Sequence, residues 1–323
     1  MKKLNNVKNG DSGSGIFYCI QCSLGQTKTG SLYYSLTLRD NTGMMKAKVW
    51  DADSLGWDIK APCYFQADFT VSEYNDELQM TLGGLSPVSA ENVDQSEFFP
   101  KSKKDTGEMY ALLLKYLGKV EDPDFRALID KVVSDSVLTK EMQEHAGDVK
   151  IHHAFVGGWL QHTLSVVKLC CAYAKYYPEL NRDLLLPAAF LHDIGKLVEL
   201  SPFPENQFTM EGQLFGHVVL DTYVVDAILG ELPSFPKEKK DHLFHCLLAH
   251  HGKLEFGSPR VPATLEALAL NLADNTDASL EIMLEALDKE PDAEITQQYS
   301  QFLGTRVVRT PSWQCAGHCT GGE

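Results

Sequence analysis

The chain has 323 residues, enough for two domains, and its 44% hydrophobic and 23% charged residues form an ordinary globular balance that excludes a disordered protein. No window approaches the roughly 18 apolar residues of a membrane helix, and the polar N-terminus MKKLNNVKNGDSGSG lacks the apolar core of an export signal, so the expectation is a cytoplasmic protein with no membrane partner. A formal charge of −15 excludes a broadly basic nucleic-acid binder; residues 1–86 carry 8 Lys and Arg against 9 Asp and Glu, leaving 21 of the 29 cations and 35 of the 44 acids to the rest, so an anionic ligand must be met by local cations.

The first elements are strands. After Ile16 to Cys22, Leu32, Tyr34, Leu36 and Leu38 alternate with Tyr33, Ser35, Thr37 and Arg39, and Asp40 to Gly43 (D-N-T-G) makes a turn. Met45, Ala47 and Val49 then alternate with Lys46, Lys48 and Trp50; Phe65, Ala67, Phe69 and Val71 repeat the pattern, a turn falls at Tyr74 to Glu77, and Leu78, Met80 and Leu82 close it. About five short strands in so few residues predict a small closed barrel over residues 1–86, of the OB-fold kind. Tyr33, Arg39, Lys46, Lys48 and Trp50 would share its outer face, where aromatics interleaved with cations suit a single nucleic-acid strand. An ordinary solvated sheet face would read the same way. Cys19 and Cys22 spell C-x-x-C, but an odd separation along a strand points side chains to opposite faces, which argues against a metal pair.

Residues 87–106, with two prolines, several serines and the cluster Lys101, Lys103 and Lys104, read as a linker. From residue 107 the period becomes helical. Met109, Leu112, Leu113, Tyr116 and Leu117 form one stripe and Phe125, Leu128, Ile129, Val132 and Val133 another. Further helices are expected at Val156 to Tyr177, Leu184 to His192, Gly216 to Leu229, Lys239 to His251, Pro262 to Asp274 and Ala278 to Lys289, with Gly252 as a cap and Pro262 in a first turn. Cys170, Cys171 and Cys246 fall in apolar runs as buried free thiols. The expected fold is therefore multidomain α and β: a barrel, then an all-α bundle over 107–303. Residues 304–323, with Cys315, His318 and Cys319 among glycines, read as a disordered tail rather than a zinc site.

The polar residues of the helical part run His162; His192 and Asp193; His217; His250 and His251; Asp274. Imidazole with carboxylate suits borderline divalent ions, and Asp193 is the candidate bridge between two of them. The order resembles the HD-domain metal-dependent phosphohydrolase superfamily, in particular its two-metal members. The barrel in front, with HHAFVGGWLQHTLSV (His152 to Val166), HDIGK (His192 to Lys196) and HHGKLEFGSP (His250 to Pro259), is similar to the YhaM-type 3′→5′ exoribonucleases from about Ser14 to about Leu303. Some two-metal relatives carry a glutamate one turn before the first histidine; here that position is Gly158.

The resemblance implies an enzyme: a metal-dependent 3′→5′ exonuclease trimming single-stranded RNA, with single-stranded DNA as a second substrate. It implies two divalent ions, manganese favoured over iron, cobalt, magnesium or zinc. His162, His192, Asp193 and Asp274 would hold one and Asp193, His217, His250 and His251 the other. Water made acidic by two cations would attack the last phosphodiester in line and release a 5′-mononucleotide. Asp193 and Lys196 are the expected catalytic pair, the lysine adding charge at the phosphate. Ser258 and Arg260 could cap the terminal phosphate or ribose, unless Gly257 and Pro259 simply make a turn there. His152 and His153 are read as groove-lining, His242 and His245 as helix faces, and Trp159 as core. A homo-oligomer is an open expectation. The rival readings are a phosphodiesterase or nucleotidase for a small nucleotide, and a non-catalytic nucleic-acid-binding protein; removing residues 1–86 would spare the former and cripple an exonuclease on long RNA.

Overall fold

A computed structural model describes residues 3–311 apart from 51, 75–76, 95–96, 100, 149–154 and 204. Its strands are Ser12–Gln26 (β1), Leu32–Arg39 (β2), Met44–Trp50 (β3), Cys63–Tyr74 (β4) and Glu77–Val88 (β5). They close into a barrel in the order β1-β2-β3-β5-β4. Two non-sequential pairings close it: β3 runs parallel to β5, with Lys46 opposite Gln79, and β1 runs antiparallel to β4. Strand alternation sorts the side chains. Tyr34, Leu36, Leu38, Ala47, Val49, Phe65, Phe69, Met80 and Leu82 are buried in one core, which Leu4 and Val7 complete from the N-terminal side. The barrel expected from the alternation is the one observed.

Cys19 and Cys22 share a face of β1 instead of pointing to opposite ones. The β1 to β2 register slips between Cys19 and Gln21, so Cys19 opposes Leu38 and Cys22 opposes Leu36. Both partners point inward, and both thiols pack on the barrel core. A bulge inserts one residue and cancels the alternation over that interval.

The segment between barrel and helices is held at its aromatic pair. Phe98 and Phe99 are buried; the ring centroids of Tyr18 and Phe99 lie 5.0 Å apart, those of Tyr64 and Phe98 5.3 Å, and those of Phe99 and Phe203 5.1 Å. Arg39, at the end of β2, is drawn into this junction, its guanidinium 5.7 Å from the Phe99 centroid, where burial lowers its pKa. Lys103 pairs with Asp288 at 2.6 Å, and the Ser102 hydroxyl donates to Gln161 at 2.7 Å, tying the end of the segment to the helices.

The helical part comprises Thr106–Leu117 (α1), Pro123–Ser134 (α2), Ser136–Glu144 (α3), Gly158–Tyr176 (α4), Arg182–Leu191 (α5), Lys196–Glu199 (α6), Met210–Phe215 (α7), His217–Gly230 (α8), Lys237–Ala249 (α9) and Leu265–Lys289 (α10). Side chains of Asp105, Asp122, Asp135, Asn181, Thr209 and Thr264 accept from the first-turn amides of α1, α2, α3, α5, α7 and α10, satisfying donors that a helix start leaves over. At the centre lie α4 and α5, the latter buried from Leu184 through Leu191, with α1, α2, α9 and α10 packed around them.

Two expected helices, at 262–274 and 278–289, are one. The intervening A-D-N-T-D-A-S has neither Pro nor Gly to stop α10, and Pro262 lies ahead of the Thr264 cap rather than inside the first turn. Beyond α10, Thr305 pairs with Ser300 and Val308 with Ile295, and the Arg309 guanidinium donates to the Leu287 carbonyl at 2.7 Å. Residues 312–323, including Cys315, His318 and Cys319, lie outside the described residues. Among the described residues no helix is long and apolar enough to cross a membrane.

Candidate metal centre

Five histidines and two aspartates expected as ligands converge where α4, the end of α5, the start of α8, the end of α9 and the middle of α10 meet. Every one of the five imidazoles is held by its Nδ1. His192 and His250 donate one turn back, to the Ala189 carbonyl at 2.9 Å and the Leu247 carbonyl at 2.6 Å. His251 donates to the Phe256 carbonyl at 2.9 Å, His162 to Asp277 at 2.7 Å, and His217 to Glu199 at 3.1 Å. With Nδ1 used in this way, Nε2 is left as the ligand atom, and its orientation is set by the partner.

The Nε2 atoms form two groups. His162 Nε2 lies 3.2 Å from His192 Nε2, 3.4 Å from Asp193 Oδ2 and 3.3 Å from Asp274 Oδ1. In the second group His217 Nε2 is 3.2 Å from His251 Nε2, and Asp193 Oδ1 is 3.6 Å from His217 Nε2 and 3.9 Å from His250 Nε2. Ligand atoms about 2.0–2.2 Å from one ion stand roughly 3–3.5 Å from one another, so these spacings suit an ion in each group. Asp193 turns one oxygen to each. Its position is fixed from behind: the Trp159 indole donates to the Asp193 carbonyl at 2.7 Å. Trp159 is fully buried and belongs to the core.

Electrostatics tests whether cations fit. Burial would raise the Asp193 carboxyl, but Lys196 and the surrounding histidines hold it well below the carboxylate range; Asp274 is likewise held low against burial, chiefly by His162. Burial would lower His162, yet Asp274, Asp277 and Asp193 push it up to about 10, so a proton sits where a cation would serve. Burial keeps His192, His250 and His251 on the low side, neutral and able to coordinate. His250 Nε2 is buried without a hydrogen-bond partner. Leaving such an atom unsatisfied costs about 1–3 kcal/mol, a cost that coordination removes. The donor set therefore fits divalent cations, and His162, His192, Asp193 and Asp274 could hold one and Asp193, His217, His250 and His251 another.

The turn between α5 and α6 explains H-D-I-G-K. A Cβ on Gly195 would lie 2.5 Å from the Asp221 nitrogen and 2.5 Å from the His217 carbonyl oxygen, so only glycine lets α8 approach closely enough to bring His217 to Asp193. The Gly195 amide donates to the buried Asp221 carboxyl at 2.6 Å; burial, with Asp193 nearby, raises the Asp221 pKa well above the usual range. Lys196 is buried with Nζ 2.8 Å from Asp193 Oδ2, at the centre rather than on the surface. Gly252, at φ 78°, ends the His250-His251 turn against Asn271, whose amide donates to the His250 carbonyl at 2.7 Å.

The remaining expected site residues are scattered. On the barrel, the rings of Tyr33 and Trp50 lie 5.2 Å apart, with Lys48 Nζ 4.5 Å from the first centroid and 5.1 Å from the second. Lys46 shares that face and pairs with Glu77 at 2.7 Å. Arg39 is at the domain junction instead. The Ser258 hydroxyl is buried between the Leu248 and Arg260 carbonyls, at 3.0 and 2.8 Å, so it holds its own loop; the amide of exposed Arg260 donates to Leu248. His245 accepts from the Ala263 amide, and His152 and His153 lie outside the described residues. Sequence reasoning passed over Asp277 and Glu199, which aim His162 and His217. Asp277 was visible in principle, since it stands three residues after Asp274 on one helix face. Glu199 had no such signal.

Residues 159–279 match the HD domain family model. The 3′-5′ exoribonuclease YhaM of Bacillus subtilis (strain 168) is 32% identical over 276 residues, covering 85% of this chain and 87% of that protein. The protein of the same name from Listeria monocytogenes serotype 4b (strain CLIP80459) is 31% identical over 292 residues, covering 88% and 90%. Among solved structures, the second OB-fold domain of replication protein A from Methanococcus maripaludis is 15% identical, with a TM-score of 0.23, over 29% of this chain and 98% of that domain.

Proposed function

The chain belongs to the family of the 3′-5′ exoribonuclease YhaM, and from that premise we propose that it is a two-ion phosphodiesterase trimming single-stranded RNA to 5′-mononucleotides. It is a divalent-metal-dependent 3′-5′ exoribonuclease by kinship and by its HD domain. The observation that carries the two-ion reading is Asp193, whose Oδ2 faces His162 and His192 while its Oδ1 faces His217 and His250. Mixed imidazole and carboxylate donors suit borderline divalent ions, and the family resemblance favours manganese among them.

Divalent ions there supply acidity, which lowers the pKa of water toward neutrality, and positive charge opposite the phosphate oxygens. The chain's own residues set the rest. Asp193 holds the two ligand groups in one frame, and Asp277 and Glu199 keep the His162 and His217 rings aimed. Lys196, already on Asp193 Oδ2, keeps a third positive charge within reach of a phosphate at the centre. On the barrel, Tyr33 and Trp50 offer stacking surfaces and Lys48 a cation, holding the strand upstream of its cut end. Stacking reads base rings that RNA and DNA share, so single-stranded DNA is the second substrate. Six free thiols and no membrane-crossing helix among the described residues agree with work in the cytoplasm.

The test is a single-stranded RNA labelled at its 5′ end, incubated with manganese or with chelator. A ladder that shortens from the 3′ end only with metal is expected. Internal cuts, or equal trimming under chelator, would overturn the reading.

A further inference from the structure

The centre opens where its ligands are only partly covered. His162, His192 and His250 are buried, whereas Asp274, His217 and His251 are partly exposed, so a substrate reaches the centre across those three. Beside His251 stands an unusual loop. The one-turn 3-10 segment Leu254–Phe256 exposes the Phe256 ring, at 60% of its free surface, instead of burying it. Its backbone is nonetheless tightly held: the Phe256 carbonyl accepts from His251 Nδ1 at 2.9 Å, its amide donates to Lys253 at 3.0 Å, and the Ser258 amide donates to Lys253 at 3.2 Å. The Lys253 amide in turn donates to the His251 carbonyl at 2.9 Å. Lys253 Nζ lies 5.2 Å from the Phe256 centroid, within cation–π reach, and 3.4 Å from Glu255 Oε1 in an exposed pair weak enough for a phosphate to displace.

An exposed ring on a rigid loop, hydrogen-bonded to a candidate ligand and bearing a cation, has the chemistry of a base seat beside a phosphate. Lost apolar burial opposes leaving Phe256 in water, and the hydrogen bond to His251 explains why the loop cannot fold it away. We propose that Phe256 stacks the nucleobase of the 3′-terminal nucleotide while Lys253 meets its phosphate or sugar edge, so that this loop selects a free, unpaired 3′ end. The proposal rests on the exonuclease reading. Ser258, buried between the Leu248 and Arg260 carbonyls, is then a positioning residue for the loop rather than a phosphate cap.

Phe256→Ala and Phe256→Trp are compared with the parent protein on three 5′-labelled RNAs: an ordinary 3′ end, an abasic terminal nucleotide, and an abasic penultimate nucleotide. Manganese affinity, by isothermal titration, reports whether His251 is still held, and bis(p-nitrophenyl) phosphate reports an active centre without an RNA end. The parent should lose about 5- to 100-fold in kcat/KM on the terminal abasic RNA, the span expected for one base–aromatic stack. Phe256→Ala should lose as much on ordinary RNA through KM and no longer distinguish the terminal abasic end. Phe256→Trp should restore the distinction, and all three proteins should bind manganese alike. If Phe256→Ala still distinguishes the abasic end, or if the penultimate position carries the effect, the ring is not the seat of the terminal base. Weaker manganese binding by Phe256→Ala would show that the loop merely supports His251 and would overturn the proposal. Failure of the parent itself on RNA, with the ester cleaved, would fault the exonuclease reading and remove the seat's ligand.

Discussion

The barrel face and the helical centre use similar side chains in opposite settings. On the barrel, Lys46 and Glu77 are each 67% exposed, and Lys48 rests over two rings open to water. Contacts of that kind contribute roughly 0–1 kcal/mol and are screened by salt. In the centre the side chains of His162, His192, Asp193 and His250 are 0–3% exposed, where a charge without a partner is strongly unfavourable. A surface of the first kind can hold a strand and release it as it shortens. The second kind fixes atoms for a bond-breaking step and tolerates little change. Substitutions should therefore separate, those on the barrel acting through KM and those in the centre through kcat and bound metal.

Asp193→Asn tests the centre most severely. The amide keeps the shape but loses the charge that two groups share, while His162 and Lys196 remain beside it. Metal content should drop below two ions per chain, and kcat should fall by about 10³-fold or more, the upper end of what one preorganised electrostatic contact supplies. Two ions by elemental analysis and an unchanged kcat would remove Asp193 as the bridge.

One shell out, Asp277→Asn and Glu199→Gln should act separately. Each leaves all seven ligands in place and loosens one imidazole, His162 in the first case and His217 in the second. Loss of such a partner typically costs 10- to 100-fold in metal affinity or activity, so each variant should need correspondingly more manganese and recover near-parental kcat at saturation. Isothermal titration should show one weakened ion in each variant, the other unaltered. A uniform loss of both would mean that the two groups do not behave as two sites.

How much of this was legible beforehand depends on the length scale of the cause. Strand alternation is local, and it located the barrel and its outward Tyr33, Lys48 and Trp50; it missed the bulge at Cys19 to Gln21 because nothing in the side-chain pattern marks an inserted residue. Chain order located the seven candidate ligands. Arg39 lies on the expected face by parity, yet its position at the strand end delivers it to Phe99, a contact set by where the domains meet. Glu199 reaches His217 only because a Cβ-free Gly195 lets α8 close on the turn, and Phe256 stands beside the centre only through a carbonyl bonded to His251. Such long-range partners leave no periodic trace.

On the barrel, Trp50→Ala should raise KM for long single-stranded RNA by about 5- to 100-fold, one stacking contact's worth, with kcat and aryl-ester cleavage unchanged. Lys46→Ala should do much less, since Glu77 already engages that ammonium and the pair is open to solvent. A Trp50→Ala effect on kcat instead of KM would break the division between the two regions.

The smallest expected effect is a pH signature of the protein stripped of metal. There the proton on His162 stands in for a cation among Asp193, Asp274 and Asp277, with the folded value pushed up to about 10 against the ordinary 6.5. A group raised in the folded state stabilises it fully below the unfolded value, and that contribution is lost as pH rises toward the folded value. The chelator-treated protein should therefore lose a few degrees of Tm between pH 7 and 10. Manganese should raise Tm at every pH in that window and flatten the decline, because the ions displace the proton on which it depends. An equal decline with and without manganese would place its origin elsewhere in the chain and leave His162 outside the ion's reach.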